Sequence, residues 1–257
     1  MNYEINQLIN FFKKFNKVII TCSGGVDSLL LLKIADLSNI NFICFTANTP
    51  SIKKKDVNFI KSFCITNNYI FHFEDYSELK DNNYKKNDEN RCFFCKTMLY
   101  KKTVEFKNKN NYDSIFNGTN VDDLSDIRPG IKAGKNHGIV SPYIELKITK
   151  EKIRKIAKFL SLEFWDKPEE ACLASRIPTG LVVDENKLKM IEESELFMNS
   201  LGIRNVRVRH HGDLARIQIY KKDYNLVTKN SNLIDTHLKK IGFKFSCLDL
   251  NEPPKIK

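Results

Sequence analysis

Residues 17–37 read KVIITCSGGVDSLLLLKIADL. The first six residues are a short β-branched run that ends at a serine-glycine-glycine turn. SLLLLKIADL then continues as a helix. The alternation repeats downstream. NFICFTA (41–47) reads as a strand, IKKKDVNFIKSFCITNN (52–68) as a helix and YIFHFED (69–75) as a strand. A helix from about residue 93 to 108 and a strand DSIFNGT (113–119) follow. Strands alternating with helices predict parallel βαβ units with right-handed crossovers, hence a doubly wound α/β sheet. The polar stretch SELKDNNYKKNDENR (77–91) reads as a mobile loop.

Past residue 145 the texture changes. TKEKIRKIAKFLSL (149–162) is a helix with Thr149 as its N-cap and Glu151 in its first turn. EFWDKPEEACLASRIPTG (163–180) has two prolines, Trp165 and a closing glycine, and reads as a structured loop. A helix (184–200), the strands VRVRHH and ARIQIY, another helix and a last strand FKFSCLDL complete a smaller α+β module. The expected domains are 1–145 and 146–257, with no internal repeat.

Bulk composition narrows the class. The 42% hydrophobic content of 257 residues is enough for one large core or two smaller ones, and 11% aromatics argue against disorder. The start, MNYEINQLINFFKKFNK, reads as an amphipathic helix without the apolar core and cleavage site of a signal peptide. The longest apolar run, LLLLKIA, is too short for a bilayer. The expectation is a cytoplasmic protein with no membrane partner. The net charge of +11 fits nucleic acid, but also a basic cleft for anionic nucleotides or a general lysine bias. The lysines are scattered, so the charge alone does not favour a nucleic-acid partner.

The turn Ser23-Gly24-Gly25-Val26-Asp27-Ser28 has the features of an anion loop. Its glycines let the backbone approach a phosphate, with amides at the positive end of the next helix. Two serines add hydroxyls. There is no Gly-Lys-Ser/Thr and no GxGxxG, so neither a Walker loop nor a dinucleotide fingerprint is present. The pattern resembles the loop of the N-type ATP pyrophosphatases, which split ATP to AMP and pyrophosphate and adenylate a substrate oxygen. GTNVDDLSDIRPG (118–130) follows a strand and carries Asp122, Asp123 and Asp126. Carboxylates beside a polyphosphate site suggest Mg²⁺ shared with phosphate oxygens, and Arg128 adds a guanidinium fork. A solvated acidic turn is the plainer reading.

The seven cysteines are an odd number, against a disulfide framework. Cys22, Cys44 and Cys247 lie in strand-like runs and Cys64 in a helical one, so all four read as small buried hydrophobes. Cys92 and Cys95, in NRCFFCKTMLY (90–100), and Cys172 have polar surroundings. Lys167 and Arg176 flank Cys172 and would favour its thiolate. Cys172 is then either a nucleophile or sulfur donor, or a third ligand for Cys92-x-x-Cys95. Zinc wants four ligands, and His210 and His211 would point to opposite faces of one strand. Three cysteines suit a [4Fe–4S] cluster with one open iron. In VRVRHHGDLARI (206–217), Arg207 and Arg209 share a strand face; a phosphate between them, or plain solvent, would explain the pair.

SGGVDS, RCFFCK, GTNVDDLSDIRPG, KPEEACLASRIPTG and VRVRHHGDLARI, in this order, resemble the LarE family of pyridinium-biscarboxylate mononucleotide sulfurtransferases. The likeness runs from about residue 15 to 250. It implies an ATP-pyrophosphatase domain over 1–145 and a sulfur-transfer and substrate domain over 146–257. It also implies that ATP and Mg²⁺ adenylate a carboxylate of a nicotinate-derived mononucleotide, and that sulfur displaces AMP to give a thiocarboxylate. The product would pass to nickel-pincer nucleotide assembly for lactate racemase and related enzymes. Residues 23–28 with Thr46, Gly118, Asp123, Arg207 and Arg209 would bind nucleotide and substrate, with Asp123 on Mg²⁺. Cys172, Asp27 and Arg128 would be catalytic. The family has two sulfur modes, a sacrificial cysteine at the Cys172 position and a [4Fe–4S] cluster on three cysteines. Cys92, Cys95 and Cys172 together favour the cluster. Trp165 would stack on a pyridinium or anchor the core. The family also suggests a homo-oligomer. The end, LDLNEPPKIK, departs from the glycine/serine-rich tail of many members. A PP-loop tRNA thiolase with a cluster is the competing reading.

Overall fold

The computed structural model describes residues 1–125, 129–168 and 170–253. In chain order the main elements are α1 (Asn2–Phe12), β1 (Lys17–Thr21), α2 (Val26–Leu37), β2 (Asn41–Asn48), α3 (Lys54–Thr66), β3 (Phe71–Asp75), α4 (Asn82–Lys85) and α5 (Arg91–Lys109). β4 (Ser114–Phe116), α6 (Pro129–Asn136), α7 (Pro142–Glu145), α8 (Lys150–Phe159) and α9 (Glu185–Ser200) follow. The chain ends with β5 (Arg207–His211), β6 (Leu214–Gln218), α10 (Tyr224–Lys229), α11 (Ser231–Ile241) and β7 (Phe245–Leu248). No helix among the described residues is long and apolar enough to cross a membrane.

The chain forms two compact units. The first comprises 1–78 and 89–170; the second comprises 79–88 and 171–257. The composition changes near 145, but α8 belongs with the first unit because its stripe Ile153, Ile156 and Ala157 lies in that unit's core. Thr149 caps α8 by accepting from the Lys152 amide.

The first unit is a four-stranded parallel sheet in the order β3-β2-β1-β4. Val18, Ile19 and Ile20 of β1 are wholly buried, as expected for a central parallel strand covered on both faces. α2 is apolar nearly all round, with Leu29 to Leu32, Ile34 and Ala35 buried, because α1 and α8 flank it. α2, α3 and α5 each end two residues before the left-handed Asn39, Asn68 and Asn111, with one cap residue between. Asparagine tolerates this conformation and stops a helix as glycine does.

The second unit holds a three-stranded sheet in the order β5-β6-β7. β5 and β6 form an antiparallel hairpin, and β7 adds parallel after α10 and α11. This is the expected α+β module. Two readings change. β7 is an edge strand, so Cys247 is exposed rather than buried. The polar stretch expected to be mobile is tied down at Asn87. Its buried side-chain amide donates to the carbonyls of Ile177 (3.3 Å), Pro178 (2.8 Å) and Leu181 (2.9 Å). Polar residues can order a segment when their partners are distant in sequence.

Candidate active site

Sheet order brings two loops together. The chain steps outward from β1 to β2 and β3, then returns to the far side of β1 with β4. The loops after β1 and β4 therefore diverge from adjacent strand ends, where open α/β sheets bind ligands.

The first loop is the serine-glycine turn. Gly24 has φ +76, a conformation that strains any side chain, and a Cβ there would also lie tightly against Ile60 Cγ1 at 3.1 Å. Gly25 is the N-cap of α2 and supplies no side-chain cap, which leaves first-turn amides available to an anion. The Ser28 hydroxyl donates to the Gly25 carbonyl (3.1 Å) and accepts from the Ser23 amide (3.3 Å), closing the loop on itself. The Val26 side chain is core, so this residue offers only backbone. The Thr46 hydroxyl donates to the Cys22 carbonyl (3.2 Å), supporting the loop from β2.

The second loop presses on the first. A Cβ on Gly118 would come within 2.9 Å of Asp27 Cβ and 3.0 Å of the Ser28 nitrogen. The Asn120 side-chain amide donates to Asp27 Oδ1 (3.4 Å), and Asp123 accepts from the Asn120 backbone (3.0 Å). Asp122 accepts from the Lys150 amide (2.6 Å) at the start of α8. The buried Lys150 amine is ion-paired with Asp27. The Tyr143 hydroxyl donates to the Asp27 carbonyl (2.9 Å), and burial pushes its pKa up, keeping it a neutral donor.

A cavity of about 570 Å³ opens over these loops, with Ser23, Asp27, Ser28, Asp123, Cys92 and Lys96 in its wall. That is the size of a small-ligand site. Asp27 and Asp123 in one wall fit Mg²⁺, which takes one or two carboxylates and completes its shell with phosphate oxygens and water. Among the described residues, no three His, Cys, Asp or Glu side chains form a metal site by themselves. Arg128 and Asp126 lie outside the described residues.

Cys92 and Cys95 stand in the first and second turns of α5, three residues apart and so neighbours on the helix surface. Cys92 is exposed; Cys95 is half-buried with its sulfur 4.0 Å from Glu78 Oε1. Glu78 is buried and accepts from the hydroxyls of Thr49 (2.7 Å) and Ser51. Two adjacent thiols suit two positions of an iron–sulfur cluster. Cys22, Cys44 and Cys64 are buried, as their apolar runs predicted. The Cys44 thiol is pushed up by its contacts with Cys22 and Cys64 and by burial.

Cys172 belongs to the second unit and precedes a short 3-10 turn, Leu173–Arg176. Arg176 and Lys167, the two cations expected to flank it, have the following partners. Arg176 is buried, pairs with Glu195 through Nε (2.8 Å) and donates to the carbonyls of Ala171 (2.7 Å) and Cys172 (3.2 Å). Lys167 reaches the Gly24 carbonyl (2.8 Å) in the first unit. Each cation thus combines a backbone carbonyl with a carboxylate, Glu195 for Arg176 and Asp56 (3.8 Å) for Lys167. In β5 the burial alternates, so Arg207, Arg209 and His211 share one face and buried His210 takes the other. Arg209 donates to the Gln218 side chain (2.9 and 3.0 Å) and to the Ser175 carbonyl (3.3 Å). Burial, then nearby Arg207, Arg216 and Arg176, pull its pKa down. These guanidiniums form a crowded cationic region suited to an anion. Trp165 packs on the first unit's core, with the Lys158 amine 4.6 Å over its ring, which supports the anchor reading.

No family model matches the chain. Over 251 residues it is 34% identical to an uncharacterised protein of Synechocystis sp., covering 96% of this chain and 93% of that one. An uncharacterised protein of Methanocaldococcus jannaschii is also 34% identical, over 95% of this chain and 93% of its own. The pyridinium-3,5-bisthiocarboxylic acid mononucleotide synthase of Lactiplantibacillus plantarum is 28% identical, over 95% of this chain and 89% of its own. The chain belongs to the LarE family. For a LarE family member, the site residues that sequence reasoning missed are Lys150, Tyr143, Asn120 and Lys96. Lys150 alone carried a signal. A lysine opening a helix faces the positive end of the dipole and so needs an anionic partner.

Proposed function

We propose that the protein is an ATP-dependent sulfurtransferase of nickel-pincer nucleotide biosynthesis. Its substrate on this reading is pyridinium-3,5-biscarboxylic acid mononucleotide. The observation that carries the proposal is the cavity between the β1 and β4 loops, which joins an anion loop, two carboxylates and Cys92 in one wall. The whole-length similarity to the Lactiplantibacillus plantarum synthase supports the choice of substrate.

A carboxylate is a poor electrophile, so the reaction begins by activating it. A substrate carboxylate oxygen attacks the α-phosphorus of ATP, the α–β phosphoanhydride breaks, and pyrophosphate leaves. The amides of residues 23–28 and the Ser23 hydroxyl hold the phosphates, with Gly118 and Thr46 supporting the loop. Asp27 and Asp123 would hold Mg²⁺ against them. Arg128 steadies developing charge, and Arg207 and Arg209 hold the mononucleotide phosphate. Sulfur then attacks the acyl carbon and AMP leaves, giving the thiocarboxylate. Cys92, Cys95 and Cys172 would ligate a [4Fe–4S] cluster, which supplies an open iron for a sulfide. In the other sulfur mode Cys172 itself gives up its sulfur. The same reading has a cytoplasmic homo-oligomer that hands its product toward a nickel-inserting enzyme.

The test is an oxygen-free preparation given ATP, Mg²⁺ and the biscarboxylate mononucleotide. AMP formation that depends on that substrate, with a thiocarboxylate found by mass spectrometry, is expected. AMP formation with tRNA alone would replace this function by tRNA thiolation. About four irons per chain would mark the cluster mode, and a Cys172 converted to dehydroalanine would mark the sacrificial one.

A further inference from the structure

Lys167 is a cation that the reaction above leaves without a role. Its amine donates to the carbonyl of Gly24, 2.8 Å away and 143 residues earlier in the chain. The ammonium also sits 4.0 Å from the centre of the Phe59 ring, with Asp56 at 3.8 Å. Its backbone is pinned in turn: Arg154 donates to the carbonyls of Trp165 (3.0 Å) and Lys167 (3.2 Å). Burial draws the amine's pKa below its usual value, while Asp56 and Glu170 oppose that fall.

The geometry points to Lys167 as the positioning residue of the phosphate loop, an inference that rests on the proposed ATP chemistry. The Gly24–Gly25 peptide is planar and trans, so its C=O and N–H point in opposite directions. Holding the Gly24 carbonyl on the Lys167 side turns the Gly25 N–H to the other side. Gly25 is the N-cap of α2, so that donor stands at the positive end of the helix. Gly24 could otherwise flip easily, since glycine has no Cβ to resist rotation of the adjacent peptide. Lys167 thus fixes a peptide that the loop's own sequence leaves free. Its charge, one peptide away, adds attraction for a polyphosphate.

The experiment compares wild type with Lys167→Met, which keeps the stem over Phe59 and removes the donor and the charge. Calorimetry measures the Kd of Mg·ATP, inorganic pyrophosphate and adenosine. We expect Lys167→Met to weaken ATP and pyrophosphate about tenfold, as for a lost charge-assisted bond, and adenosine less than about twofold. In pyrophosphate exchange the loss falls on KM for ATP more than on kcat. Equal pyrophosphate affinity in variant and wild type overturns the inference, as does an equal loss of adenosine and pyrophosphate. If the methionine variant does not fold, Lys167→Gln is read by the same affinities. Wild type that binds neither ATP nor pyrophosphate sinks the proposed function itself, and this inference with it.

Discussion

The serine-glycine loop of the first unit and the arginine-bearing face of β5 in the second are suited to negative charge by different means. The loop uses main chain: glycines, the start of α2, and a second loop pressed against it at Gly118. Its charged side chains, Asp27 and Lys150, neutralise each other. The β5 face uses side chains, with Arg209 braced by Gln218 and the Ser175 carbonyl, and the turn that carries Ser175 is held by the buried Arg176–Glu195 pair. Backbone sites are preorganised by local conformation and fail when the chain is displaced. Side-chain sites are assembled from distant residues and fail when one partner is removed.

The sharpest way to break this comparison is Gly118→Ala. The added methyl meets Asp27 Cβ at 2.9 Å and the Ser28 nitrogen at 3.0 Å, so the two loops must part. We expect substrate-dependent AMP formation to fall about a hundredfold, because small misplacements of a reacting group carry costs of that order. A loss under about threefold, measured as initial rate, would mean the loops tolerate separation and the site is not preorganised by backbone.

Next is the second unit. Arg176 and Glu195 are 2% and 3% exposed, and Glu195 also accepts from the Val208 amide (3.2 Å). Glu195→Ala leaves a buried guanidinium without its carboxylate, at a cost of about 3–5 kcal/mol. Hydrogen exchange across α9 and β5 should rise by that opening energy while β1 and β2 stay protected. Unchanged protection would show that the carbonyl bonds alone hold Arg176.

The smallest effect tests whether the first unit also depends on a side-chain pair. Burial opposes ionisation of Glu170, but Lys53 (2.6 Å) and Lys55 (2.9 Å) outweigh it and hold its carboxyl at about 2. A depressed carboxylate stabilises the fold above its unfolded pKa of 4.5 and loses that contribution as pH falls toward 2. The contribution is at most about 3 kcal/mol, less with solvent screening of a partly exposed group. Glu170→Gln should therefore lower denaturant stability at pH 7 and flatten its decline between pH 5 and 2. Parallel wild-type and variant curves over that range would remove the pair from the account.

Much of the first unit was legible in the sequence. The strand, the double glycine and the apolar helix at 17–37 act within one short segment, so local propensity and structure agree. The shared face of Arg207 and Arg209 was also legible, since alternation along a strand is a local property. Cys247 was misread because apolar alternation does not say whether a strand is central or at an edge. The 77–91 stretch was misread because the carbonyls that Asn87 holds are 90 or more residues away. Lys167 was read with Cys172, its neighbour in sequence, whereas its amine lies on Gly24. Sequence alone dictated the parallel α/β class and the glycine turn that opens α2. Only the tertiary structure decided which charges meet: Lys150 with Asp27, Arg176 with Glu195, Lys167 with a backbone carbonyl. The acceptors that a long side chain can reach are set by the packing of elements far apart in the chain.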